Sequence, residues 1–323
     1  MSMRAAIENF NHQFEFEPVV ENAEGFHPGR YKKFIVSGMG GSQLAAELLK
    51  TFRPETEIIN WRDYDLPRAG GSEETLVIAS SYSGNTEETV SAFHEAKKRS
   101  MPVAAIARGG ELLELAKRHN APLIKLPDDN IQPRSALGYS FRAFLKIMGD
   151  EELLASSREL SRTLRPGHYE GQGEQLAHAF KGFIPVIYAS RENAPVAYIW
   201  KIQFNETGKI PAFYNVFPEL NHNEMNGFGA SGAARPLSQM FSFIFLKSHN
   251  DDARVQKRMD VTREIYEKMK MPVREIEIRG DDRLHAVFSS IILGNWAAYH
   301  AAELYGHDSE NVPVVEELKK LMK

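Results

Sequence analysis

Short β-rich segments alternate with helical patterns through the first half of the chain, and this alternation constrains the fold more than any other feature. Strands are predicted at residues 33–37, 57–60, 75–80, 103–107 and 122–126. Helices are predicted at residues 3–14, 42–52, 86–99 and 111–119. This order indicates a parallel, doubly wound α/β sheet with helices on both faces. Ligands of such sheets bind beyond the carboxyl ends of the strands.

A second α/β series follows a polar, mostly helical stretch at 149–173, in which Pro166 and Gly167 act as breakers. Its predicted strands are 185–189, 212–217, 240–246 and 273–279, and its predicted helices are 194–205, 252–268, 282–305 and 314–321. A chain of 323 residues can hold two domains that each bury a core. We therefore predict two doubly wound parallel-sheet domains, at 1–155 and 156–323.

The composition excludes several classes of protein. Hydrophobic residues make up 42% and charged residues 25% of the chain, and 39 basic residues stand against 43 acidic ones. The chain has no basic field for nucleic acid and no apolar run long enough to span a bilayer. The lack of cysteine excludes disulfides, thiolate nucleophiles and cysteine metal sites. We expect a soluble cytoplasmic protein without a nucleic-acid or membrane partner.

Closely spaced hydroxyl side chains follow the third predicted strand and precede a helix. Ser81, Ser83 and Thr86 can direct O–H groups at the same point as the unpaired backbone N–H groups of the helix. The helix dipole favours an anion there. The alternative is a capped helix, because Asn85 and Glu88 have the spacing of a capping box.

A glycine-rich turn, Gly38 to Gln43, follows the first predicted strand. It is not a P-loop, because it lacks the Gly-Lys-Ser/Thr ending. A dinucleotide site remains an alternative, although the turn lacks a third glycine and the second strand ends without an acidic residue. Two such turns on neighbouring strands predict a phosphate site that needs no metal. Its predicted residues are Gly41, Ser42, Ser81, Ser83 and Thr86.

Arg134 directly follows Pro133 at the start of the helical pattern 136–148. A cation in a first helical turn opposes the helix dipole, which indicates an anionic partner. The alternative is a surface arginine paired with Asp128 or Asp129.

Glu206 ends a largely apolar helix, which Gly208 and Pro211 terminate. A carboxylate at a helix C-terminus holds its proton more tightly, which suits a general base. His222 lies between two asparagines and is an acid–base candidate, with a hydrogen-bonded structural histidine as the alternative. A metal site at residues 222–224 lacks further ligands at a usual spacing. Lys319 lies in a basic last turn with Lys320 and Lys323, and by default that turn is solvated.

These motifs together resemble the bifunctional phosphoglucose/phosphomannose isomerase family, whose members contain two sugar-isomerase (SIS) domains. The resemblance spans the chain from about Met1 to Lys323. It rests on Gly38-Met-Gly-Gly-Ser42, Ser80-Ser-Tyr-Ser-Gly-Asn-Thr86, Gln132-Pro-Arg134-Ser-Ala-Leu-Gly-Tyr139, Asn205-Glu206 and Asn221-His222-Asn223-Glu224.

The resemblance implies an aldose–ketose isomerase of glucose and mannose 6-phosphate, active in glycolysis and gluconeogenesis, with no cofactor and no metal. It implies that the hydroxyls of Ser42, Ser81, Ser83 and Thr86 bind the sugar phosphate. Arg134 would stabilise the enediolate and Glu206 would carry the proton between C2 and C1. His222, supplied by the partner subunit of a homodimer, would open the sugar ring, and Lys319 would assist at the ring oxygen.

The chain also departs from the family pattern. Val312 stands where members often carry threonine, which affects the expected balance between glucose and mannose substrates. The segment from Asn205 to Lys209 differs from the commoner Asn-Glu-Asn-Ala-Lys. A non-catalytic sugar-phosphate sensor, or an isomerase of an amino sugar phosphate or heptulose phosphate, remains an alternative.

Overall fold

The structure is a computed structural model, and it describes residues 1–68, 74–229 and 231–322. The chain divides into two compact units. The N-terminal unit contains Met1 and Asn9–Leu164, and the C-terminal unit contains Ser2–Glu8 and the described residues of Arg165–Lys323. The division follows Leu164, whereas the sequence places it after residue 155. Leu160 and Leu164 are buried, which accounts for the longer N-terminal unit.

Helices and strands alternate as predicted. The helices are α1 (Met3–Glu8), α2 (Leu44–Phe52), α3 (Glu87–Lys98), α4 (Gly110–Arg118), α5 (Leu137–Met148), α6 (Glu151–Arg158), α7 (Leu160–Thr163), α8 (Glu170–Ala179), α9 (Ala194–Glu206), α10 (Glu224–Phe228), α11 (Arg235–Ser238), α12 (Ala253–Lys268), α13 (Arg283–Tyr305) and α14 (Pro313–Leu321). The strands are β1 (Lys33–Ser37), β2 (Glu57–Trp61), β3 (Thr75–Ser80), β4 (Val103–Ala107), β5 (Leu123–Lys125), β6 (Ile184–Ser190), β7 (Phe213–Phe217), β8 (Phe241–Lys247) and β9 (Val273–Glu277). The predicted strands are confirmed to within two residues at either end.

The sheet of the N-terminal unit is parallel, and its strands lie in the order β2-β1-β3-β4-β5. Strands β3 and β4 are buried along their whole length, as expected for the centre of a sheet covered on both faces. The chain forms β2 on one side of β1 and then returns to form β3 on the other. The strand order therefore reverses between β1 and β3, which is where such sheets bind ligands.

The sheet of the C-terminal unit is also parallel, with the order β7-β6-β8-β9 and a reversal between β6 and β8. Aromatic side chains fill one side of its core, among them Tyr188, Phe243 and Tyr266. The long helix α13 is buried over most of its length. None of the helices in the described residues is long and apolar enough to cross a membrane. The predicted fold class, two doubly wound α/β domains, is confirmed.

The predicted helix over residues 3–14 is wrong in its length. Helix α1 ends at Glu8, and a 3-10 helix, Phe10–Glu15, follows it in the other unit. Met3, Ile7, Phe10 and Phe14 are all buried, so their helical spacing continues across the break. Hydrophobic periodicity indicates which side of the chain is buried. It cannot indicate that residues 3–8 are buried in one unit and residues 10–15 in the other.

Candidate active site

The loops after β1 and β3 meet at the reversal point of the N-terminal sheet. Strand β1 leads into a 3-10 turn, Gly40–Gln43, before α2 begins. The hydroxyl of Ser80 donates to the backbone oxygen of Ser42 at 3.1 Å. The backbone N–H of Tyr82 donates to the Ser42 hydroxyl oxygen at 2.8 Å. These two bonds join the loops at the point where the sequence predicts a phosphate site.

The hydroxyls of the β3 loop lie together. Ser81 Oγ lies 2.8 Å from Thr86 Oγ1 and 3.5 Å from Ser83 Oγ. The backbone N–H of Gly84 donates to Ser81 Oγ at 3.0 Å, and the N–H of Asn85 donates to Ser83 Oγ at 3.2 Å. Because backbone N–H groups occupy lone pairs of these oxygens, the hydroxyl hydrogens can turn towards an anion. The loop thus offers hydrogen-bond donors at one place.

The capping-box alternative is wrong for helix α3. Thr86 is the N-cap residue, and its side chain makes no capping hydrogen bond. The Asn85 side-chain oxygen instead accepts from the backbone N–H of Glu111, at the start of α4. The Thr86 hydroxyl contacts Ser81. The polar side chains of this loop therefore bond to one another and to the loop after β4, and they do not cap helix α3.

Glycine allows the β1 loop to approach the segment that carries Arg134. A Cβ atom on Gly41 would lie 2.5 Å from the backbone nitrogen of Arg134 and 2.7 Å from the carbonyl carbon of Pro133. Any side chain at position 41 would therefore require the backbone to move. The lack of a side chain at Gly41 lets the 3-10 turn Pro133–Ser135 lie against the loop after β1.

Arg134 is buried, with 1% of its surface exposed. The alternative of a surface arginine is therefore wrong. Asp128 pairs with Arg108 at 2.8 Å, and Asp129 accepts a hydrogen bond from the Tyr139 hydroxyl. A buried guanidinium keeps its charge in proteins, so the turn that lies against Gly41 carries a buried positive charge.

The loop after β4 lies against the loop after β3, and it is not among the predicted site residues. A Cβ on Gly84 would lie only 1.7 Å from the carbonyl oxygen of Gly109, so glycine is required where these two loops touch. The Arg108 guanidinium lies over the Tyr82 ring, 5.4 Å from its centroid. Burial raises the pKa of Tyr82 to about 12, which keeps its phenol neutral. The signal in the sequence was Arg108-Gly109-Gly110 directly after a buried strand.

The predicted residues of the second half lie in the C-terminal unit, on separate elements. Glu206 is the last residue of α9, as predicted, and its side chain is half-buried. Gly208 allows the chain to turn there, since a Cβ on it would lie 2.8 Å from the Phe204 carbonyl oxygen. The Lys209 ammonium donates to the backbone oxygen of Glu206, which satisfies one terminal carbonyl of the helix.

His222 ends a 3-10 turn, Glu219–His222, and its ring is exposed. Within the described part of the chain, the imidazole makes no hydrogen bond or ion pair. The structural-histidine alternative therefore has no support from contacts in this unit.

Lys319 lies on α14, which has no buried residue, and its ammonium pairs with Glu316 at 2.7 Å. Lys323 of the predicted basic turn lies outside the described residues. Among the residues that the structure describes, no group of three or more histidine, aspartate and glutamate side chains could hold a metal ion.

Comparison with known sequences places this arrangement in a family. Residues 170–322 match the model of the bacterial phospho-glucose isomerase C-terminal SIS domain. A bifunctional phosphoglucose/phosphomannose isomerase of Thermoplasma volcanium is 37% identical over 306 residues, which cover 92% of this chain and 93% of that protein. A protein of the same name from Caldicellulosiruptor bescii is 35% identical over 304 residues, covering 89% of this chain and 88% of that protein.

The fold has solved counterparts as well. The C-terminal domain of glucosamine-fructose-6-phosphate aminotransferase from Francisella tularensis superposes with a TM-score of 0.68, covers 96% of each chain and is 14% identical in sequence. At that identity the likeness concerns the fold alone. With relatives above 30% identity along nearly its whole length, the chain belongs to the bifunctional phosphoglucose/phosphomannose isomerase family.

Proposed function

We propose that this chain interconverts glucose 6-phosphate, and also mannose 6-phosphate, with fructose 6-phosphate through a cis-enediol intermediate. The observation that carries the proposal is the group of hydroxyl donors where the loops after β1 and β3 meet, with the buried Arg134 turn against Gly41. The curated relatives are named for both isomerase activities, which supports the same conclusion.

The phosphate would bind at Ser42, Ser81, Ser83 and Thr86, away from the reacting carbons. Hydrogen bonds to a charged group contribute about 1.5–3 kcal/mol each, so a phosphate held by several hydroxyls provides enough binding energy to position C1 and C2. A dianion also suits the first turn of α3, where the dipole is positive and no side chain caps the helix.

The chemistry is assigned to Glu206 and Arg134. Glu206 would remove the proton from C2 of the open-chain aldose and return it to C1, while the hydroxyl proton moves between the two oxygens. Arg134 would stabilise the negative charge that develops on oxygen in the enediolate, an electrostatic term that is often the largest in enzyme catalysis. The oxidation at C2 is balanced by the reduction at C1, so the reaction is an internal redox exchange.

His222 and Lys319 would act at the sugar ring. His222 would open the pyranose by proton transfer, and Lys319 would assist at the ring oxygen. We propose that His222 reaches the site of a partner subunit in a homodimer, which agrees with its exposed ring and with the lack of any bond to that ring among the described residues. The cytoplasmic location expected from the sequence remains part of the proposal.

Hydrogen exchange at C2 tests the reaction directly. Incubation of the protein with glucose 6-phosphate in deuterated water should introduce deuterium at C2 and form fructose 6-phosphate, because the proton on Glu206 exchanges with solvent. A protein that binds glucose 6-phosphate without exchange would be a sensor instead. The same assay with mannose 6-phosphate measures the preference of the protein between the two epimers, on which the departure at Val312 bears.

Glu206→Gln tests the assignment of the base. The variant should bind sugar phosphate normally and lose at least about 10²-fold in kcat, as is typical of a positioned acid–base group. The matched control is Glu264→Gln, the same change at an exposed residue of α12, which should leave kcat unchanged. Equal turnover in the two variants would end the assignment.

Mixing two impaired variants tests the shared site. Glu206→Gln and His222→Ala should each lose at least about 10²-fold in kcat alone, with a residual rate that can still be measured. If a homodimer shares His222 between subunits, random reassociation should restore about a quarter of the active sites, because each mixed dimer contains one site with both native residues. No recovery after verified exchange of subunits would mean that each chain supplies its own histidine.

A further inference from the structure

A partly buried hydrogen-bond network connects Glu224 to the C-terminal sheet. The Tyr188 hydroxyl donates to Glu224 Oε1, and the Asn215 side-chain amide donates to Glu224 Oε2. Tyr188 lies on β6 with none of its surface exposed, and Asn215 lies on the edge strand β7. Both carboxylate oxygens of Glu224 are therefore bonded to the sheet.

Aromatic side chains surround the Tyr188 ring. Tyr188 packs against Phe217 at 5.8 Å and against Phe245 at 5.5 Å between ring centroids. Burial raises the pKa of Tyr188 far above its ordinary value, so its hydroxyl remains a donor at any physiological pH. A hydrogen bond to a carboxylate in such surroundings is stronger than one in water.

The asparagines on either side of His222 are also hydrogen-bonded, to helix α12 and within the loop. The Asn221 side-chain amide donates to Thr262 Oγ1 at 2.9 Å, and the Asn223 amide donates to Glu219 Oε1 at 2.7 Å. Leu220 is fully buried. His222 differs from these neighbours, because its ring is exposed and unbonded among the described residues. The loop is thus held by the side chains on both sides of His222.

We propose that Glu224 is a positioning residue, which holds the His222 loop in its catalytic conformation by bonding to Tyr188 and Asn215. This inference rests on the proposed function, in which His222 acts on the sugar ring. Glu224 lies two residues from His222 and begins α10, whose first turn the Asn223 side chain caps. Loss of either bond would let residues 221–224 shift, and misplacement of a catalytic group by about 1 Å can cost up to 10²-fold in rate.

Glu224→Gln is the first test. An amide can accept from Tyr188 but places an NH₂ group against the donor of Asn215, so one bond is lost. We expect kcat to fall about tenfold, the effect of losing one hydrogen bond to a charged group. The KM for glucose 6-phosphate should stay within about twofold, because the phosphate is assigned to loops of the N-terminal unit.

A double-mutant cycle separates positioning from a general structural effect. If Glu224 acts through His222, Glu224→Gln should cause no further loss of kcat in a His222→Ala background. An equal loss in both backgrounds would overturn the inference while leaving the proposed function intact. A wild-type protein without isomerase activity would overturn both.

A donor–acceptor swap keeps the test independent of folding defects. Combining Glu224→Gln with Asn215→Asp restores a bond, because the new amide donates to the new carboxylate, and kcat should recover severalfold. Tyr188→Phe should reproduce the loss of Glu224→Gln. Tyr266→Phe is the matched control, since the Tyr266 hydroxyl lies 3.5 Å from that of Tyr188 and its removal leaves both Glu224 bonds in place. Failure of the swap in a protein that melts like wild type would also overturn the inference.

Discussion

The two units have the same reversal point in their sheets but use it in opposite ways. Beyond β1 and β3, the hydroxyl oxygens of Ser42 and Ser81 accept from backbone N–H groups. Their O–H groups can therefore still donate to a ligand. The corresponding place beyond β6 and β8 is closed by side chains of the chain itself.

Asp251 is the residue that closes it. Its carboxylate accepts from the Asn193 side-chain amide at 2.8 Å and from the backbone N–H of Ser248 at 2.8 Å. Arg283 donates to the Asn193 side-chain oxygen at 2.8 Å. Ser190 accepts from the Asn193 backbone and side chain. An internal carboxylate thus occupies the kind of position that an external anion would take in the N-terminal unit.

This difference shows that topology locates a possible site but does not create one. A crevice at the end of parallel strands follows from the strand order in both units. Whether it binds an anion depends on whether its donors are already satisfied. The following four predictions test this distinction, from the largest expected effect to the smallest.

Gly41→Ala should abolish the arrangement of the N-terminal site. The new Cβ would lie 2.5 Å from backbone atoms of the Arg134 turn, so the two segments must separate. We expect kcat/KM to fall by about 10²-fold. Gly171→Ala is the control, since its Cβ would meet nothing within 4 Å, and activity should not change. An active Gly41→Ala enzyme would show that the contact does not position Arg134.

Ser81→Ala and Ser190→Ala form a matched pair across the two units. Removal of the Ser81 hydroxyl should raise the KM for sugar phosphate about tenfold or more, because a hydrogen bond to a charged group is lost. Removal of the Ser190 hydroxyl should leave KM unchanged and lower stability by about 1 kcal/mol. Steady-state kinetics and thermal melting distinguish the two. Equal KM values for Ser81→Ala and Ser190→Ala would contradict the distinction between an open N-terminal site and a closed C-terminal crevice.

Asp251→Ala should lower the stability of the protein without changing substrate binding or turnover. The change removes one of the two acceptors of the Asn193 amide and leaves the Ser248 N–H without its acceptor, which costs about 1–3 kcal/mol in the free energy of unfolding. KM and kcat should remain those of the wild type. A second bound phosphate per chain, measured by calorimetry, would show that the C-terminal crevice is a closed copy of the same site.

Tyr82→Phe should have the smallest effect. The Tyr82 hydroxyl is buried and has no hydrogen-bond partner within the described residues. Its removal should leave the protein equally stable or up to about 1 kcal/mol more stable. A rise in KM would show that this phenol contacts the substrate and that the loop contains one more binding group than we have assigned.

Much of the architecture follows from local patterns. Strand β3 is a short β-branched run between turn residues, and its bounds are predicted correctly because a fully buried strand has a strong compositional signal. The cluster of Ser81, Ser83 and Thr86 was also predictable. These hydroxyls lie within a few residues of one another, so the loop itself brings them together.

Contacts between segments that are distant in sequence could not be predicted from local patterns. The approach of Gly41 to Arg134 joins residues far apart in the chain, and glycine-rich turns have several possible uses. The α1 boundary was predicted wrongly because periodicity cannot distinguish one core from two. The role of Asp251 left no trace in the sequence, where it is one of two consecutive aspartates in a polar loop.

The sequence by itself determined the order of helices and strands, the fold class and the groups of hydroxyl and acid–base residues, because these depend on short-range periodicity and on residue chemistry. Only the tertiary structure decided which polar groups remain available. Hydrogen-bond satisfaction is a property of partners that meet in space, so the open loops of the N-terminal unit and the closed crevice at Asp251 could be distinguished only after both had folded.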